Sequence, residues 1–267
     1  MGIFAKLFGK SRKQASYQDD WQSYLLNKNE TISSTIVDLN FGQKTVVAPQ
    51  ENLVYLSVEL CEPQENGMAN KEEETELWKI EDDLMLAFYK NDINLSFAGQ
   101  ITTKNSRTFY FYTDNILLTE KTISAVLLKY PKYVHELGHK MDSRKQTYFD
   151  LLYPPPRQMQ QIKNRKVLNV LTENKDDLSK ERAVTHWIYF GNMADLEKYE
   201  VFGENLGFET LVKEKEAAEN EDYTYKLVIS RIDKVSHDVI DGYTLELWEK
   251  ANELNGTYDG WETSVEK

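Results

Sequence analysis

The chain of 267 residues carries 44 Asp and Glu against 32 Lys and Arg, a formal net charge of −12, with 40% hydrophobic and 12% aromatic residues. That composition supports one or two folded cores under a very polar surface. A single cysteine, Cys61, excludes an internal disulfide and suits a reducing, cytoplasmic compartment, and no apolar run approaches the roughly 18–20 residues of a membrane-spanning helix.

The opening stretch, "MGIFAKLFGKSRK", is too short in its apolar part for a secretory signal. As a helix it gathers Ile3, Phe4, Leu7 and Phe8 on one side and Lys6, Lys10, Arg12 and Lys13 elsewhere. Residues 1–16 therefore read as a flexible basic amphipathic tail, and residues 1–13 as a possible weak contact with a membrane surface.

Residues 17–156 read as an α+β domain. "TISSTIVDLNF" (Thr31–Phe41) is expected as an edge strand and "NLVYLSVEL" (Asn52–Leu60) as a strand. "KEEETELWKIEDDLMLAFYK" (Lys71–Lys90) is expected as a long helix, acidic in its first turns as the dipole prefers. "INLSFAGQITT" and "RTFYFYT" form a hairpin, and "KTISAVLLKY" (Lys121–Tyr130) a helix ended by Pro131. Tyr110, Tyr112, Phe109 and Phe111 lack surrounding Lys and Arg, so they suit a core better than a base-stacking platform. Cys61 has no activating base and reads as an inert thiol.

Three prolines in "LYPPPRQ" (Leu152–Gln158) break the chain. Residues 157–180 are expected as a linker with a short helix, and residues 181–267 as a second α+β domain. Its strands are "AVTHWIYF" (Ala183–Phe190), "FETLVKE" (Phe208–Glu214), "YTYKLVISRI" (Tyr223–Ile232) and "TYDGWETSV" (Thr257–Val265). Asn192 caps the first helix, Gly207 follows it, and Ser236 caps a second helix ended by Asn255-Gly256. The order is βαββαβ in both domains. The fold expected is two ferredoxin-like plaits in tandem, each an antiparallel sheet with helices on one face.

"YVHELGHKMD" (Tyr133–Asp142) contains the zinc-hydrolase string H-E-x-x-H. On a helix, His135 and His139 would chelate one ion with Glu136 as general base. The plait order asks for a strand, which separates them by roughly 13 Å at ~3.3 Å per residue. No cofactor or metal is expected. A zinc hydrolase using His135, Glu136 and His139 stands as the alternative, as does a peripheral membrane adaptor.

The charge is unevenly distributed. Residues 1–180 hold 24 acidic and 23 basic side chains, and residues 181–267 hold 20 and 9. The last third repels phosphate backbones, so direct nucleic-acid binding is not expected, and a basic protein segment is the natural partner.

"ERAVTHWIYF", "GFET" and "GTYDGWET" together resemble the regulator of RNase E activity B family, RraB, over residues 181–267. The resemblance implies a small acidic plait that binds a ribonuclease and restrains it without chemistry of its own. "GMANKEEETELWKIEDDL", "RTFYFYT" and "YFDLLYPPP" resemble an uncharacterised bacterial domain-of-unknown-function family that is sometimes fused to an RraB-like module. That likeness implies a fold and no activity.

The function expected is a non-enzymatic, protein-binding regulator that docks a basic segment, such as one of an RNase E-like enzyme. Tyr258, Asp259, Trp261 and His186 are the candidate partner-binding residues. An aromatic ring beside a carboxylate suits an arginine-rich peptide. The structural alternative makes Asp259-Gly260 a turn or bulge, Trp261 core and His186 a satisfied core histidine.

Overall fold

The computed structural model describes residues 18–44, 50–215 and 224–267. The proposed amphipathic tail at 1–16 lies outside them. The chain divides into two compact units that meet between Pro154 and Pro155.

The first unit contains β1 (Trp21–Lys28), β2 (Thr31–Asp38), a short α1 (Phe41–Lys44), β3 (Asn52–Glu59), α2 (Lys71–Lys90), β4 (Leu95–Thr103), β5 (Ser106–Thr113), α3 (Ile116–Leu127) and β6 (His135–Met141). A single π-helical turn follows at Tyr148–Leu152. The sheet runs β1-β2-β4-β5-β3-β6 with every neighbour antiparallel. Its last four strands and two helices are the expected plait. The expected edge strand at 31–41 is instead interior, because β1 pairs outside it through a hairpin turn at Asn29 and Glu30, both at positive φ.

Local chemistry accounts for these boundaries. The Asn70 side chain accepts the Glu73 N–H and caps α2, and Asn115 does the same for α3 through Leu118. Lys104 and Asn105, both at positive φ, turn β4 into β5. Val54, Leu56, Val58, Phe109 and Phe111 pack beneath Leu77, Ile80, Leu84 and Phe88 of α2. On the opposite face Phe41, Tyr112 and Tyr148 form a second aromatic cluster with ring centroids 4.9–5.0 Å apart. The aromatic strand is thus core on both faces, with only Tyr110 half-buried.

The second unit contains α4 (Pro156–Glu173), β7 (Arg182–Phe190), α5 (Met193–Asn205), β8 (Glu209–Lys215), β9 (Tyr225–Asp233), α6 (Ile240–Glu253) and β10 (Gly256–Thr263). The sheet order β10-β7-β9-β8 is again that of a ferredoxin-like plait. Asn192 caps α5 as expected, and Gly207 follows it at φ +84°. Val184, Ile188, Phe190, Leu227 and Ile229 bury one face of the sheet against Leu196, Tyr199 and Leu247 of α5 and α6.

The segment expected as a linker with a short helix is an 18-residue helix that contributes Leu168 and Leu171 to this core. The polar run after it is anchored as well. Arg182 donates to Asp176 at 2.5 Å and to the Ser264 carbonyl, and Asp176 accepts the Glu266 N–H at 2.7 Å. This buried charge-assisted cluster ties the start of β7 to the chain that follows β10.

Gly256 opens the "GTYDGWET" strand directly under the Phe190 ring, where an added Cβ would lie 2.4 Å from a ring carbon. Phe190 is fully buried. Gly256→Ala is expected to destabilise the protein by about 1–3 kcal/mol through overpacking, measured by urea denaturation. An unchanged midpoint would contradict this packing.

Candidate functional site

The two faces of the second sheet divide the candidate residues. His186 is fully buried, and its Nδ1 lies 2.8 Å from the Tyr258 hydroxyl. The imidazole stands edge to face against Phe208 and Tyr243, with centroids 5.4 and 5.8 Å away. Burial, with the Arg231 guanidinium adding to it, pulls its pKa down to about 3, so the ring stays neutral. Burial also pushes the Tyr258 hydroxyl well above the usual phenol range.

Trp261 is buried, and its Nε1–H donates to Asn164 Oδ1 at 3.0 Å. Asn164 in α4 is a four-bond hub. Its Oδ1 also accepts from Gln160 at 3.2 Å, and its Nδ2 donates to Asp241 and to the Thr244 hydroxyl, both at 2.7 Å. Three of the four expected partner-binding residues therefore face inward, and the expected aromatic–carboxylate clamp is not formed. Only Asp259 reaches the surface.

The alternation that buries His186 turns Trp187 outward, and both Trp187 and Tyr189 are half-buried. Register then places three rows across the outer face. Thr257, Tyr189, Lys226 and Glu214 form one; Gly260, Trp187, Val228 and Val212 the next; Glu262, Thr185, Ser230 and Glu209 the third. Val228 is buried on this outer side, between the Trp187 and Val212 positions. Asp259 sits at the bulge beside the middle row. Lys226 pairs with Glu214 at 3.4 Å, while Asp259, Glu262 and Glu209 make no ion pair among the described residues. The surface has an aromatic centre and a carboxylate rim, and among the described residues no helix of the plait packs on it.

Sequence reasoning did not include Trp187 and Tyr189 among its candidate residues. The available signal was strand alternation, which required one of His186 and Trp187 to face outward.

The H-E-x-x-H string lies on β6, an extended edge strand paired to β3. His135 faces its own chain at the Tyr133 carbonyl, and His139 contacts Glu120 of α3 at 2.7 Å. The helical spacing on which the zinc reading depended is not present. Among the described residues no group of three or more His, Cys, Asp and Glu is placed to hold a metal ion. Gly138, in the middle of the string, lies under the Tyr55 ring of the neighbouring strand. Cys61 is exposed, with its pKa raised by desolvation and by the Glu73 carboxylate.

The family of unknown function DUF695 matches residues 19–153, just over half of the chain. The chain belongs to the DUF695 family. Residues 161–263 match the model "Regulator of ribonuclease activity B", RraB. No curated protein matches the chain. Two solved structures align at 11% identity over 80% of this chain, an unknown protein from Galdieria sulphuraria (99% of that chain, TM-score 0.24) and a putative glycine cleavage system transcriptional repressor (98% of that chain, TM-score 0.22). At those scores neither carries an argument about fold or function.

The RraB match starts inside α4, twenty residues before the resemblance read from sequence motifs. The Asn164 hub supplies the physical reason, since α4 closes the same core as the "GTYDGWET" strand. The DUF695 match runs from just before β1 to the end of the π-helical turn, so the added β1–β2 hairpin belongs to that family's unit.

Asn164→Ala would strand the Trp261 indole N–H and the Gln160 amide in the core. It is expected to cost about 2–4 kcal/mol, read as a lowered urea midpoint, and an unchanged midpoint would contradict the hub. His186 gives a pH signature. Its folded pKa, about 3 against an ordinary 6.5, means that protons bind the unfolded chain first. The stabilisation from neutral His186 is complete above about pH 6.5 and is lost as the pH falls toward 3. Between pH 7 and 5 the native chain should lose about 2 kcal/mol more than His186→Phe. Parallel losses in both proteins would contradict the buried neutral imidazole.

Proposed function

We infer that the chain is a non-enzymatic regulator of ribonuclease activity that acts by docking a basic protein segment on the outer face of its RraB sheet. The observation that carries the reading is the aromatic centre of Trp187 and Tyr189 rimmed by Asp259, Glu262, Glu209 and Glu214. Arginine stacks on such rings and pairs with such carboxylates. The RraB match supports a regulatory role of this kind, and the 20 acidic against 9 basic residues after position 180 support a basic partner over nucleic acid.

The partner proposed is an RNase E-type endoribonuclease met in the cytoplasm. Among the described residues no helix is long and apolar enough to cross a membrane, which suits that setting. Burial of Tyr258, Trp261 and His186 supports a role in holding the strand pair β7–β10 rigid, so that Trp187 and Asp259 are presented at fixed spacing.

Cleavage of a fluorogenic RNA by a purified RNase E-type enzyme tests the proposal. The native chain should slow cleavage, and the effect should fall by an order of magnitude or more between 50 and 300 mM salt. Trp187→Ala and the double variant Asp259→Lys, Glu262→Lys should each weaken inhibition about tenfold or more. Inhibition indifferent to salt and to both variants, or no inhibition at all, would refute it.

A further inference from the structure

The six-stranded sheet ends at β6 with half of that strand's backbone groups unpaired. β6 runs beside β3 without a bulge, whereas β8 and β10, the two edges of the second sheet, each carry one, a device that turns an edge away from further pairing. The Glu59 N–H donates to the Val134 carbonyl at 2.9 Å, and the Asp142 N–H to the Glu51 carbonyl at 2.8 Å. By the alternation of an antiparallel ladder, Val134, Glu136, Gly138, Lys140 and Asp142 therefore bond toward β3. The N–H and C=O groups of His135, Leu137, His139 and Met141 point away from the sheet. Among the described residues those outward groups have no partner.

Side chains select what can pair there. Leu137 packs toward the core and His139 reaches Glu120 of α3, so the odd-numbered positions face the helices. Glu136, Gly138 and Lys140 lie on the other face, where the Tyr55 ring covers Gly138. Glu136 and Lys140 are exposed and make no ion pair among the described residues. At ~3.3 Å per residue they stand roughly 13 Å apart, too far to neutralise each other within one chain. They are equidistant from Gly138 and opposite in charge. An antiparallel second copy centred on Gly138 therefore sets Glu136 against the partner's Lys140, and Lys140 against the partner's Glu136. The neighbouring registers do not. Centred on His139, Glu136 meets the partner's Asp142; centred on Leu137, it meets the partner's Gly138. Exposed apolar residues frame the same edge, with Val134 at 62% and Met141 at 75% on the strand and Leu117 at 63% one turn of α3 before Glu120.

We propose that the chain forms a two-fold homodimer by antiparallel pairing of β6 with β6 of a second copy, centred on Gly138, so that two six-stranded sheets join into one. In this register His135 exchanges backbone bonds with the partner's Met141, and Leu137 with the partner's His139. Opposite charges directly across two strands stabilise the pair and like charges destabilise it. The same residues therefore oppose an in-register parallel pairing, which sets Glu136 beside the partner's Glu136. This edge lies in the other unit from the proposed docking face, and the dimer stands whether or not that reading holds.

Sedimentation velocity on the full-length chain over about 1–200 μM tests the assignment, and a monomer–dimer equilibrium within that range is what a small two-strand interface should give. Glu136→Lys and Lys140→Glu should each weaken dimerisation about tenfold or more, since each replaces two attractive cross-strand pairs with two repulsive ones. An equimolar mixture of the two variants should recover native affinity, because each then meets its complement. His139→Pro removes an outward N–H and no bond to β3, and should leave a monomer with native circular dichroism. Should His139→Pro fail to fold, the charge variants, which alter only exposed side chains, decide alone. The proposal is overturned if the native chain stays monomeric throughout, if either charge reversal leaves dimerisation unchanged, or if the mixture associates no better than its components.

Discussion

The second unit depends on one buried side chain. Asn164 uses all four of its hydrogen-bonding positions inside the core, taking the Trp261 indole and the Gln160 amide and giving to Asp241 and Thr244. It thereby joins α4, α6 and β10, the elements that close the plait. A polar hub of this kind is directional in a way that apolar packing is not. It fixes the rotation of β10, and through the Tyr258–His186 bond it fixes which side of β7 faces inward.

Surface chemistry follows from that constraint. With His186, Tyr258 and Trp261 turned inward, Trp187 and Tyr189 are left on the outer side, beside Asp259 and Glu262. The residues that make the "GTYDGWET" string distinctive are therefore mostly structural, and those that can meet a partner are their neighbours. In the first unit the same plait order turns H-E-x-x-H into an edge strand, its glycine covered by the Tyr55 ring and its second histidine held by Glu120. One fold thus shapes both outcomes, an outer aromatic face with a carboxylate rim in the second unit and an extended pair of histidines in the first.

Much of this was legible in the sequence. The βαββαβ order was readable in both halves, because strands such as "AVTHWIYF" are β-branched and aromatic and because Asn192 stands as a helix cap. The extended conformation of 135–141 followed from that order. What escaped was less local. The helix α4 packs through Gln160 and Asn164 as much as through leucines, so its buried face gave little apolar periodicity and read as a linker. The strand β1 mixes Trp21 and Tyr24 with polar residues, and without it β2 passed for an edge. The bulge read at Asp259-Gly260 did not escape: Tyr258 and Trp261 are three positions apart, a spacing that simple alternation sends to opposite faces. A bulge at Gly260, held at φ +146°, adds one residue and returns Trp261 to the side of Tyr258.

Hydrogen exchange of the two indole N–H groups, followed by 15N-resolved NMR on the native chain, tests the inward–outward division most directly. Trp261 Nε1–H, buried and bonded to Asn164, should exchange orders of magnitude more slowly than Trp187 Nε1–H on the open face. Comparable fast exchange at both, or protection of Trp187 with Trp261 unprotected, would mean that the sheet presents the other side, and the docking face assigned here would be wrong.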